Sequence, residues 1–77
     1  MRNLSNITIV ELRAILAQRG LTVERTKGGH EMWSKEGMPR PVVFQTHKQP
    51  IPEFVVQNAI KTLGMTKKEF IALLESL

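Results

Sequence analysis

Leu21-Thr22-Val23-Glu24-Arg25-Thr26-Lys27-Gly28-Gly29-His30-Glu31-Met32-Trp33-Ser34 is the stretch on which the fold turns. Leu21 and Val23 alternate with Thr22 and Glu24, a period of two that suits a half-buried strand running to about Lys27. Gly28-Gly29 then makes a tight turn, and His30 to Ser34 reads as the returning strand. Lys35-Glu36-Gly37 predicts a second turn before a third strand from about Pro41 to Thr46. Pro39 and Pro41 fit only at its beginning, because proline has no N–H to give to a ladder. Three short strands in series form an antiparallel meander, which needs a helix layer on one face to be stable.

Helical spacing flanks the meander on both sides. Thr8-Ile9-Val10-Glu11 is a capping box, after which Ile9, Leu12, Ile15 and Leu16 recur on one face until Gly20 stops the helix. Pro50 and Pro52 stiffen the loop after the third strand. Pro52 suits the first turn of a second helix with Val56, Ala59, Ile60 and Leu63 inward and Gly64 at its end. A second capping box, Thr66-Lys67-Lys68-Glu69, predicts a short third helix carrying Phe70, Leu73, Leu74 and Leu77 on one side. The expected fold is α+β: a helix, a three-stranded antiparallel sheet, a helix and a short extra C-terminal helix. That plan is close to the double-stranded-RNA-binding domain, with residues 1–77 forming one domain. The expected core joins Leu12, Leu16, Val23, Val56, Ile60 and Phe70.

Composition removes several function classes. With 77 residues there is room for a modest core and one binding surface. The absence of cysteine excludes disulfides, zinc ribbons and thiol nucleophiles. No run approaches the ~20 apolar residues of a membrane span, and Met1-Arg2-Asn3 leads into no signal-peptide core, so a cytoplasmic protein is expected. Eleven Lys and Arg against seven Glu give a net charge of +4, which makes nucleic acid a plausible partner. The excess gathers between Arg25 and Lys48, where both histidines also fall. An ordinary solvated surface accounts for the charge equally well.

Lys27-Gly28-Gly29-His30 brings together a cation, two positions where backbone N–H groups can face an anion, and an imidazole. RNA cleavage needs a base for the 2′-hydroxyl proton and positive charge for the phosphorane-like transition state. A histidine flanked by Lys27 and Arg25 offers both without a metal. A histidine's reference pKa of about 6.5 leaves a useful neutral fraction at cellular pH. The bland alternative is a glycine hairpin followed by a surface or core histidine, and spacing alone leaves the two readings open. His47 beside Lys48 offers a general acid or a phosphate contact, or simply a solvated loop histidine. Trp33 is either core or a platform for an unpaired base. Alternation puts His30 and Met32 on one face and Glu31 and Trp33 on the other, so a buried Trp33 leaves His30 on the open side. Two histidines without cysteine or aspartate do not make a metal set, and no cofactor is called for.

Glu11-Leu12 through Gly20, followed by Leu21 to His30, resembles the opening of HicA toxins, in which a helix ends at glycine and a strand leads into Gly-Ser-His or Gly-Gly-His. Val42-Val43-Phe44 through His47-Lys48, Pro52, Ala59-Ile60 through Leu63-Gly64 and Glu69-Phe70 are similar to the family's third strand, loop and C-terminal helices. Two positions depart from the pattern. Glu31 stands where many members have a second histidine, and Phe44-Gln45-Thr46-His47 lacks the usual proline. The resemblance implies a double-stranded-RNA-binding-domain-like fold and metal-independent cleavage of mRNA by the toxin of a toxin–antitoxin pair. It also implies neutralisation by a HicB-like antitoxin. His30 matches the family's catalytic histidine, Gly28 and Gly29 match the residues before it, and Arg25, Lys27, His47 and Lys48 are the expected RNA contacts.

Three other readings compete. A non-catalytic RNA-binding module would use the same fold and charge, and only His30 separates it from the nuclease. Ile7 to Lys27 also resembles the first half of a SAP-type DNA-binding motif, yet that motif continues as a helix where this chain has a glycine-led strand. Leu63-Gly64-Met65-Thr66 is similar to the opening of a helix-turn-helix domain, but the sequence leaves no recognition helix after it.

Overall fold

The computed structural model describes residues 3–47 and 49–77. Helix α1 spans Ile9–Gln18, strands β1, β2 and β3 span Thr22–Lys27, His30–Ser34 and Val42–Gln45, and helices α2 and α3 span Glu53–Leu63 and Lys67–Glu75. The sheet is antiparallel in the order β1-β2-β3. The architecture is therefore the expected α+β arrangement of three strands and three helices, consistent with a double-stranded-RNA-binding-domain-like fold.

Local chemistry accounts for the boundaries. The Thr8 hydroxyl accepts from the Glu11 N–H at 3.1 Å while the Glu11 carboxylate accepts from the Thr8 N–H at 2.9 Å. Thr66 and Glu69 repeat the exchange at 3.1 and 2.8 Å. Each box satisfies donors that a helix start would otherwise leave unpaired. Gly64 ends α2 in the left-handed region at φ 72°, where a β-carbon would be strained. Pro52 sits one position earlier than expected, as the residue preceding the first turn of α2.

The core lies between the helices and one face of β2 and β3. Ile9, Leu12, Ile15 and Leu16 of α1, Val56, Ala59 and Ile60 of α2, and Phe70 and Leu74 of α3 meet Val42 and Phe44 of β3. Leu4, Ile7, Leu21 and Ile51 join from the loops. Ile51 donates its N–H to the Ile7 carbonyl at 2.9 Å, and Ile9 donates to the Gln49 side-chain oxygen at 3.2 Å. Those two bonds tie the loop before α2 to the start of α1.

Two apolar assignments change. Val23 was expected in the core but is 49% exposed, because all six residues of β1 lie in the open at the sheet margin. A β-bulge between Val23 and Arg25 also breaks the strict alternation assumed for this strand. Leu77 falls beyond the end of α3 and is exposed, so the apolar stripe of that helix reduces to Phe70 and Leu74, with Leu73 half-buried. No helix among the described residues is long and apolar enough to cross a membrane.

Candidate functional site

Gly28 and Gly29 form the two-residue turn between β1 and β2, with φ of 58° and 83°. Positive φ at both central residues is the signature of the hairpin turns whose twist matches that of paired strands, and it selects glycine. The turn places Lys27 directly across from His30. On its other side His30 pairs with Gln45 of β3. Because paired residues share a sheet face, Lys27, His30 and Gln45 form one row, and Arg25, Met32 and Val43 form the next row on the same side. Both rows lie on the face opposite the buried Glu31, Val42 and Phe44. His30, Arg25 and Lys27 are all exposed.

The imidazole is oriented by its neighbour. The Gln45 amide nitrogen lies 3.3 Å from His30 Nε2. The hydrogen bond runs from the amide to Nε2 in the tautomer that carries its ring proton on Nδ1. Gln45 itself is half-buried. Its Oε1 is buried without a hydrogen-bond partner.

His47 follows β3 and closes over the glycine turn. A β-carbon placed on Gly29 would lie 2.6 Å from His47 Nδ1 and 3.1 Å from its Cε1, well inside van der Waals contact. Backbone sign calls for glycine at position 29, and a β-carbon there would also have to displace the exposed His47 ring. At Gly28 a β-carbon would meet nothing within 4 Å, so only its backbone conformation calls for glycine. The Thr46 N–H and hydroxyl both donate to the Gly29 carbonyl, at 2.6 and 3.0 Å, and pin the segment carrying His47 to the hairpin tip. The structure therefore gathers Arg25, Lys27, Gly28, Gly29, His30 and His47 at one end of the open face. Lys48 lies outside the described residues.

Behind His30 the strand is anchored through a buried carboxylate. Glu31 points to the helix side and is only 6% exposed. Arg13 of α1 donates to it from Nε at 3.2 Å and from Nη2, and Trp33 donates its indole N–H at 2.8 Å. The Arg13 hydrogen bonds hold the Glu31 carboxyl below its usual range against the opposing effect of burial, with Trp33 adding a smaller pull in the same direction. Arg13 is raised in return by the same hydrogen bonds. Trp33 is half-buried and packs against the core, on the face opposite His30. Among the described residues, no group of three His, Cys, Asp or Glu side chains is placed to hold a metal ion.

Sequence reasoning did not single out Gln45, Arg13 or Phe54. Gln45 becomes visible only through the register of β2 and β3, and Arg13 only through the packing of α1. Phe54 stands at the start of α2 outside its buried stripe and is 66% exposed. Its signal was its failure to fit that stripe.

Residues 10–65 match the sequence model of a family described as the HicA toxin of bacterial toxin–antitoxin. Neither a curated protein nor a solved structure matches the chain.

Proposed function

The chain belongs to the HicA toxin family of bacterial toxin–antitoxin pairs, and from that premise we propose that it is a metal-independent endoribonuclease that cleaves mRNA with His30 as general base. The observation that carries the reading is the row Lys27, His30, Gln45 on the open sheet face, with the ring orientation of His30 set by a neighbour. In the tautomer protonated on Nδ1, the Nε2 lone pair that faces the Gln45 amide is the one a substrate 2′-hydroxyl takes over. Nε2 accepts the hydroxyl proton as the 2′-oxygen bonds to phosphorus. The P–O5′ bond then breaks, and the 5′-oxygen takes a proton from solvent or a nearby acid. Lys27 and Arg25 supply positive charge for the phosphorane-like transition state, and Gly28 and Gly29 let the phosphate approach the backbone. His47 and Lys48 complete the RNA contacts.

Products should carry a 2′,3′-cyclic phosphate and a 5′-hydroxyl and should form in EDTA. They should be absent when the ribose at the cut carries a 2′-O-methyl group. His30→Ala should lower the cleavage rate about 10²–10⁴-fold, the usual contribution of a positioned base, with folding unchanged. Unchanged cleavage by folded His30→Ala protein rejects the mechanism. RNA binding without cleavage by the unaltered protein selects a binding module instead.

Family membership implies a cognate antitoxin. We propose a HicB-like partner in the cytoplasm that presents an acidic surface to Arg25, Lys27 and His30. Its association should slow with added salt, as charge-steered encounters do.

A further inference from the structure

Helix α2 opens with Glu53-Phe54-Val55-Val56. Val56 goes to the core, whereas the Phe54 ring stays in water at 66% exposure. A lone exposed apolar residue is ordinary, but Phe54 has company. Val43, on the same open face as His30, is 44% exposed. The two side chains line a cleft of about 240 Å³ to which His30 and Gln45 also contribute. Val43, Phe54 and Val55 continue into a second cleft of about 420 Å³ that reaches Arg40 and Lys61. No acidic side chain among the described residues lines either cleft.

The clefts therefore run from a histidine, past an exposed aromatic ring, to two cations. An RNA strand offers a matching order of a reacting phosphate, a flat apolar base and the next phosphate. The first cleft is smaller than the ~300–1,000 Å³ pockets that take drug-sized ligands, which suits one planar group more than a length of peptide. We propose that this is a nucleobase subsite. The base beside the scissile phosphate stacks on Phe54 against Val43, and the following phosphate meets Arg40 and Lys61. The proposal rests on the reading of His30 as the catalytic base. It assigns RNA contact to three residues, Phe54, Arg40 and Lys61, that lie away from the glycine hairpin.

The test uses a mixed-sequence oligoribonucleotide whose cleavage position has been mapped, with matched versions lacking the base on either side of the cut. Phe54→Ala should lower kcat/KM on intact RNA about 5- to 150-fold, the range for losing one base–aromatic stack. Phe54→Trp should retain activity. On the RNA lacking the stacked base, unaltered and Phe54→Ala proteins should agree within about twofold. Binding supplies a readout independent of cleavage. A 2-aminopurine at that position should be quenched on binding His30→Ala protein, but not on binding the protein that also carries Phe54→Ala. An equal loss on intact and base-free RNA, or no loss at either neighbouring base, overturns the subsite. Weakened antitoxin binding with unchanged RNA handling also overturns it and hands the cleft to the protein partner. If the unaltered protein cleaves nothing, or His30→Ala still cleaves, the nuclease reading fails, and 2-aminopurine placed at each position of the strand in turn still decides the subsite through its Phe54-dependent quenching.

Discussion

At the scale of single residues, the two glycines before His30 make unequal predictions although they are adjacent and both have positive φ. Gly28→Ala meets no neighbour, so its effect is limited to about 1–2 kcal/mol of left-handed backbone strain. Gly29→Ala adds a collision with the His47 ring at 2.6 Å, which must move the ring or the hairpin tip. Thermal unfolding should show Gly29→Ala as the less stable of the two, and an RNA cleavage assay should show it as the less active. His30 was legible as a candidate because a cation and two glycines stand directly before it in the sequence. Gln45 was not, because seven residues separate β2 from β3, and a loop of that length allows several registers. Phe54 was passed over for a different reason: helical periodicity finds what is buried, and this ring is not.

At the scale of elements, the capping boxes and the Glu31 anchor carry separate, measurable shares of stability. Thr66→Ala removes the acceptor for the Glu69 N–H and should lower stability by about 1 kcal/mol in denaturant titration. Arg13→Ala strands the buried Glu31 carboxylate with only Trp33 for a partner. Breaking a fully buried pair costs about 3–5 kcal/mol. Arg13 is 42% exposed, so a smaller loss is expected, nearer the ~1.5–3 kcal/mol of hydrogen bonds to charged groups. The sign of the pH effect follows from the depressed Glu31 carboxyl. Its contribution is complete above the unfolded carboxyl value of about 4.3 and is lost as pH falls from there through the lower folded value. Glu31→Gln should therefore flatten the stability profile on the acid side and leave its shape near neutrality unchanged, as followed by urea midpoints. The sequence announced both caps through Thr-x-x-Glu spacing. It placed Glu31 on the helix-side face by alternation but gave no sign of its arginine, which arrives from 18 positions earlier in the chain.

For the whole molecule, the relevant quantity is where the net charge of +4 lies relative to the sheet. With Arg25 and Lys27 on the open face, RNA affinity should fall steeply with salt, and Lys27→Ala should lower the slope of log K against log salt by about one. Filter binding with His30→Ala protein, which does not consume its ligand, measures that slope directly. Fold class was readable because period-two and period-3.6 segments alternate with clear stops. The cover over the sheet was not, since nothing in Thr22–Lys27 states that the helices stop short of it. That uncovered β1 margin bears on how the protein behaves at high concentration. Strand margins offer unpaired N–H and C=O groups to any passing chain and are where fibrils begin. Here the bulge at Glu24 kinks the border, and Glu24, Arg25 and Lys27 keep it hydrated, so a second copy meets no straight ladder on which to zip. An irregular, charged border of this kind disfavours the edge-to-edge pairing that a straight, apolar strand margin would invite.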